Sequence, residues 1–244
     1  VPPPRPPEPG LLEGIATARS IHRYRPDPIP DGDLAAILYA ATRAPSGSNR
    51  QPFRFVVLRD GPRAREAKRL LGGAFRSMWG SKASREGWRQ GSGAEPDSPK
   101  ARAARAMDRF VECFEEIPVV VLACHVREPG AAPGERGVPH PYEGASIYPA
   151  CQNLLLAARA LGYGACFSVW HAPVEAELKE LLGIPPETFL AATIPLGRPE
   201  GRHGPLRRRP VRELVFDDAW GAGAPWIDDP PGARLSRSRG GQRS

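Results

Sequence analysis

Apolar residues along the chain fall into short blocks with two distinct periods, separated by polar stretches rich in Pro and Gly. Leu34, Ile37, Leu38 and Ala41 repeat at helical spacing behind PDPIPDGD, a Pro/Asp turn region that ends in helix-capping residues. That helix is expected to stop at Ala44-Pro45, because proline disfavours a helical residue before it. Ahead of it, Leu11 to Arg19 predicts a shorter helix that delivers the chain to RSIHRY. Phe53 to Leu58, FRFVVL, is rich in β-formers and predicts a strand. Arg63 to Leu71 predicts a helix. The polar, Gly-rich GSKASREGWRQGSGAEPDSPK further on reads as part of a long excursion whose aromatics are Trp79, just before this segment, and Trp88 within it. Ala101 to Glu116 is helical again, and Ile117 to Cys124 is a strand apolar on both faces.

After the loop REPGAAPGERGVPHPYEG, the positions Ile147, Ala150, Cys151, Leu154, Leu155, Ala158 and Leu161 mark a mostly buried helix from Ser146 to Leu161, with Gly162 as its C-terminal cap. Ala165 to Trp170 predicts a short strand. Pro173 opens a helix with Val174, Leu178, Leu181 and Leu182 inward, closed by Gly183. Phe189 to Leu196 predicts a strand ending at Gly197. Helices and strands alternate irregularly, which favours an α+β fold or a three-layer α/β/α sandwich. No GxGxxG follows a first strand and no GxxxxGK[ST] occurs, which speaks against a Rossmann fold or a P-loop NTPase.

Composition places the tails. The chain has 244 residues, and much of its excess of 26 Gly and 30 Pro lies at the two ends. Residues 1–10 read as a Pro-rich tail, 11–226 as one domain and 227–244 as a disordered basic tail. No apolar run is long enough to span a membrane, and VPPPRPPEPG lacks the apolar core of a secretory signal, so a cytoplasmic protein is expected. The net charge of +7 comes almost wholly from arginine, since only Lys68, Lys82, Lys100 and Lys179 are lysines. Without interleaved aromatics this charge does not point to nucleic acid. No two of Cys113, Cys124, Cys151 and Cys166 have CxxC spacing, so neither zinc nor a redox motif is indicated and reduced, buried thiols are expected.

Four scattered segments suit parts of one anionic, planar ligand. In Arg19-Ser20-Ile21-His22-Arg23-Tyr24 a hydroxyl and two guanidinium groups can bracket a phosphate. In Pro45-Ser46-Gly47-Ser48-Asn49-Arg50-Gln51-Pro52, the side chains of Asn49 and Gln51 offer paired donors and acceptors for an imide edge. Arg207-Arg208-Arg209 before Pro210 crowds three cations together. Around Gly162-Tyr163-Gly164-Ala165-Cys166 the glycines permit close approach of a flat ligand. Each segment also has an ordinary structural use: a surface helix end, a helix-to-strand connection, a solvated basic loop and a helix cap.

Taken together and in this order, ARSIHRY, APSGSNRQPFRFVVL, GASIYPACQNLLLAARALGYGACFSVW and LKELLGIPPETFLAATIPLGRPEG…RRRPVRELV resemble the nitroreductase family of FMN-dependent oxidoreductases, from about Ile15 to about Trp220. The resemblance implies an α+β sandwich with a central, mostly antiparallel sheet and an intertwined homodimer with FMN at the interface. It implies ping-pong chemistry in which NAD(P)H reduces the flavin and a nitroaromatic, quinone or similar flat acceptor reoxidises it. By position, Arg19 and Ser20 would hold the FMN phosphate, and Arg207, Arg208 or Arg209 would reach it from the C-terminal loop. Ser46, Ser48, Asn49 and Gln51 would line the ring, partly from the partner subunit. Ala165 and Cys166 would present backbone groups to its reactive edge.

The family motif is near RRSxRx[FY]. Here Ala18 replaces the first Arg and His22 the later one, with Arg23 beside it, so either His22 or Arg23 would face the flavin. A neutral histidine would stabilise the reduced flavin less than an arginine. No residue is nominated as catalytic and no metal is expected. The excursion around Trp79 and Trp88 would form a lid over flat substrates. Other readings are a flavoenzyme of the same fold with another reaction (enone reductase, dehydrogenase or dehalogenase), a noncatalytic FMN-binding protein, and a basic nucleic-acid-binding protein.

Overall fold

The computed structural model describes residues 8–127 and 144–236. The expected Pro-rich tail up to residue 7, most of the loop before residue 144 and the tail beyond 236 lie outside the described residues. The elements run α1 (Leu11–Thr17), α2 (Asp31–Ala41), β1 (Phe53–Leu58), α3 (Pro62–Arg85), α4 (Pro99–Glu112), β2 (Val119–His125), α5 (Gly144–Ala160), β3 (Gly164–Ala165), α6 (Glu175–Leu182), β4 (Phe189–Gly197), β5 (Arg207–Arg208) and β6 (Arg234–Leu235).

Strands β1, β2, β4 and β3 form one sheet in that order, antiparallel throughout. Every residue of β2 is buried, as its unbroken apolar sequence requires for a strand covered on both faces. Its side chains alternate between two cores. Val119, Val121 and Ala123 pack with Ile37 of α2 and Ile147 and Leu154 of α5. Val120, Leu122 and Cys124 pack with Leu71 and Phe75 of α3, Phe110 of α4 and Leu178 of α6. The result is the expected α+β sandwich of three layers.

Three expectations change. The helix from Arg63 does not stop near Leu71 but continues to Arg85, so the first part of the excursion is helical. Its buried stripe runs on unbroken through Ala67, Leu71, Phe75, Trp79 and Ala83, every fourth residue. Gly72 does not break the helix. It makes room for the Glu115 carboxylate, which a β-carbon there would strike, and which pairs with Arg76 at 2.9 Å. The strand expected over residues 165–170 is only Gly164–Ala165. The Cys166 N–H donates to the Pro195 carbonyl at 3.2 Å. A strand residue's N–H and C=O point to the same side, so Pro195 leaves a missing donor on this side of β4. The ladder lapses there and returns only as a bridge between Ser168 and Thr193. The basic C-terminal segment joins the body as far as Ser236, because β6 pairs in parallel with β5.

Candidate functional site

The site begins where α1 runs out. After Thr17 the chain passes the open edge of the sheet: Ser20 bridges Ala165, and the Ile21 N–H donates to the Ala165 carbonyl at 3.0 Å. This crossing requires Gly164, since a β-carbon there would stand 2.7 Å from Ile21 Cγ1. It turns Arg19, Ser20 and His22 toward a cavity of about 790 Å³, a size suited to a small ligand or cofactor.

One end of the cavity is cationic, with Arg19, Arg159 and Arg208 in its lining. Arg159, in the last turn of α5, is fixed by its Nε donating to Thr17 Oγ1 at 3.1 Å. Arg208 is carried on β5, which is anchored on both sides. Leu206 N–H donates to Ala16 O at 3.0 Å, and Ser236 N–H donates to Arg208 O at 2.6 Å. The C-terminal segment thus helps place a cation of the site. His203 also lines this end, with Nε2 3.1 Å from the Tyr163 carbonyl. Burial, then the charge of Arg159, lowers its pKa.

The opposite end is largely apolar and aromatic, with Lys82 one turn beyond Trp79. Phe75 and Trp79 come from α3, Met107 and Phe110 from α4, and Trp170 from the segment before α6. Trp79 is 4% exposed; its indole N–H donates to Asp108 Oδ1 at 2.7 Å, and its ring meets Trp88 edge-on at 5.4 Å between centroids. It is a fixed wall packed on a helix. Between the two ends His22 Nε2 lies 3.4 Å from Cys166 Sγ, and its ring meets Phe110 edge-on at 5.0 Å. Burial, then the charge of Arg19, brings the His22 pKa down to about 4, while burial pushes the Cys166 thiol up to about 11. At neutral pH the pair is therefore imidazole and thiol, with neither charged. It provides no nucleophilic thiolate.

Of the residues singled out in the sequence, Arg19, Ser20, His22, Ala165, Cys166 and Arg208 line this cavity. Arg23, Arg207 and Arg209 do not; Arg23 faces an adjoining groove instead. Between His22 and Arg23, the histidine is the one that enters the cavity. The Ala165 carbonyl and Cys166 N–H are already engaged by Ile21 and Pro195, so those backbone groups serve the sheet.

Ser46, Ser48, Asn49 and Gln51 are also absent from the lining of their own chain's cavity. Their loop is nevertheless unusual. Ser48, Asn49 and Gln51 all hold left-handed backbone conformations, with φ of 51°, 53° and 50°. For Ser48 and Gln51 this costs roughly 1–2 kcal/mol each, while asparagine adopts the conformation more readily. The loop is braced by Gln51 N–H donating to Ser46 Oγ at 3.0 Å and by Arg54 Nη1 donating to the Gln51 carbonyl at 3.0 Å.

Of the aromatic wall the sequence singled out only Trp79 and Trp88, as a lid over flat substrates; Phe75, Phe110, Trp170, Arg159 and His203 were not among the residues expected at the site. Phe75, Trp79 and Lys82 at i, i+4 and i+7 form one face of α3, and Ala103, Ala106, Met107 and Phe110 at i, i+3, i+4 and i+7 form one face of α4. Among the described residues there is no group of three or more His, Cys, Asp or Glu that could hold a metal, and no helix is long and apolar enough to cross a membrane. The arrangement can hold a planar ligand by one end against aromatic rings and bind an anionic tail at the other.

A model of the nitroreductase family matches residues 15–198. A protein of Archaeoglobus fulgidus, provisionally named NADH dehydrogenase/NAD(P)H nitroreductase, is 31% identical over 194 residues, covering 78% of this chain and 85% of its own. The iodotyrosine deiodinase of Thermotoga neapolitana is 24% identical over 212 residues, covering 84% of this chain and 96% of its own. Among solved structures, a provisionally named nitroreductase from Desulfovibrio desulfuricans in complex with FMN has a TM-score of 0.60 at 25% identity, with 87% of this chain and 99% of that one covered.

Proposed function

The chain belongs to the nitroreductase family, and from that premise we propose that it is an FMN-dependent oxidoreductase that takes electrons from NAD(P)H and passes them to nitroaromatic, quinone or similar flat acceptors. The observation that carries this reading is a single cavity with guanidinium groups at one end and aromatic residues packed edge-on at the other. This donor set fits FMN: Arg19, Arg208, Arg159 and Ser20 suit a phosphate dianion, and the space between His22, Cys166 and the aromatic wall suits a flat ring. When bound, the flavin supplies the hydride chemistry. The chain's own residues bind, orient and shield. Arg19 and Arg208 hold the charged tail. Phe75, Trp79 and Phe110, all buried, form the backing that excludes water from one end, and the half-buried Trp170 offers flat acceptors a surface to lie against. His22, neutral at pH 7, gives the cavity a polar group without adding a charge.

The strained loop at Ser46, Ser48, Asn49 and Gln51 completes the site of a second copy in this reading, which makes the protein a homodimer. Two features support it: the loop is exposed on its own chain, and so are Leu12 of α1 (80%), Trp220 (94%) and Trp226 (67%). A second copy seated on this chain would cover such side chains. The four free cysteines accord with the reducing conditions of a cytoplasm.

A visible spectrum tests the proposal. The purified protein should be yellow, release FMN on denaturation, bleach on anaerobic mixing with NADH or NADPH, and recover its colour when a nitroaromatic or quinone is added. Protein that neither carries nor takes up FMN refutes it. The likeness to an iodotyrosine deiodinase along nearly all of that protein's length keeps a second reaction in view. A halogenated phenol therefore belongs in the acceptor panel, and exclusive turnover of it would favour reductive dehalogenation.

A further inference from the structure

Beside the cavity, and continuous with it through Arg19, Ser20 and His22, runs an open groove of about 810 Å³ between α4 and the segments at 19–23 and 201–202. Its lining contains Arg19, Arg23, Arg102, Arg105, Arg109 and Arg202 and no carboxylate residue. Arg102, Arg105 and Arg109 follow one another on α4 at i, i+3 and i+7, so they form a line along one helix face. Arg109 is neutralised by Glu200 at 2.7 Å, and the Arg102 guanidinium donates to the Asp97 carbonyl. Arg19, Arg23, Arg105 and Arg202 have no carboxylate partner among the described residues. Guanidinium groups gathered in a concavity repel one another, and their planar forks are built to grip phosphate oxygens in pairs. The main cavity does not contain Arg23, Arg102, Arg105, Arg109 or Arg202, and it has Arg19, Arg159 and Arg208 for an anion of its own.

We propose that this arginine groove binds phosphate groups of the molecule that exchanges electrons in the adjoining cavity. The inference rests on the redox reading of that cavity. The phosphates have two possible sources. They belong either to the nicotinamide donor, with the extra 2′-phosphate in the groove so that NADPH is favoured over NADH, or to a phosphorylated acceptor.

The test titrates the protein as purified with inorganic pyrophosphate by calorimetry, at low and at physiological salt. It compares wild type with Arg102→Ser/Arg105→Ser and with Arg63→Ser/Arg65→Ser, which removes the same charge from exposed positions on α3. The groove variant should lose affinity by about tenfold for each guanidinium contact removed. The control should bind as wild type does, and both should keep their flavin. Equal weakening in the two variants, or no weakening in the groove variant, overturns the proposal. Stopped-flow reduction then separates the sources. A preference for NADPH that disappears in the groove variant assigns the phosphates to the donor. An unchanged donor ratio, with pyrophosphate competing against reoxidation in wild type only, assigns them to the acceptor. If neither half-reaction responds, the proposal falls. A colourless protein whose pyrophosphate binding still depends on Arg102 and Arg105 would refute the flavin reading and leave the groove's anion affinity standing, so the two failures are distinguishable.

Discussion

Acid should destabilise this protein through His22, and His22→Gln should remove that part of the loss. Burial, and then Arg19, holds the imidazole at about 4 in the folded chain, against an ordinary value of 6.5. Between those two values the unfolded chain carries a proton at His22 that the folded chain does not. Stability therefore falls as the pH drops through 6.5, and the loss is complete below about pH 4. At about 1.4 kcal/mol per pKa unit, the whole effect is about 3 kcal/mol, of which about 2 kcal/mol is incurred between pH 7 and pH 5. Glutamine keeps a polar side chain of similar reach but does not titrate. His171 and His203, whose pKa values burial also lowers, remain in both proteins and cancel in the comparison. The assay is urea unfolding of wild type and His22→Gln at the two pH values, followed by tryptophan fluorescence. Wild type should lose about 2 kcal/mol more than the variant on acidification. Equal losses would show that the imidazole is solvated, and would remove the case for a neutral group in the cavity.

Other consequences are open to simple measurements. Gly164→Ala should cost about 1–3 kcal/mol in urea unfolding, because the new methyl must displace the Ile21 side chain. Tyr163→Phe should destabilise by about 1–3 kcal/mol, since it removes the 2.6 Å hydrogen bond to Asp33 that ties the start of β3 to α2. Iodoacetamide at pH 8 should label Cys113 first and leave Cys124, Cys151 and Cys166 intact until the chain unfolds. Those three thiols are buried and raised to about 12, 12 and 11, and peptide mass analysis would detect any early labelling of them. Arg19→Ala and Arg208→Ala should each lower the flavin retained through gel filtration; unchanged occupancy in both would count against their holding a phosphate.

Where local pattern decides structure, the sequence could be read closely. FRFVVL is β1 to the residue, and Gly183 closes α6 in the left-handed conformation expected of a C-terminal cap. Where the deciding partner lies far along the chain, it could not. Gly72, Gly73 and Gly80 look like breakers until Glu115 is seen to occupy the space beside Gly72. The strand after Gly164 fails because of Pro195, some thirty residues later. The charged half of the site was visible because arginines in motifs announce an anion. The aromatic half was not, because a phenylalanine or tryptophan on a helix face has the same sequence signature whether it meets a core or an open cavity. Arg159 was hidden for a related reason: a basic residue in the last turn of a buried helix is what any helix favours there.

The two ends of the cavity also differ in how the chain supplies them. Its charged end is assembled from distant stretches, at residues 19–22, 159 and 203–208, all braced on the sheet edge or on one another. Most of its aromatic end comes from one uninterrupted run, residues 75–110. Exchanging that run would reshape the aromatic half of the chamber while leaving Arg19, Arg159 and Arg208 where they are. A change of substrate is therefore within reach of a single local replacement, whereas a change of cofactor would require several distant ones at once.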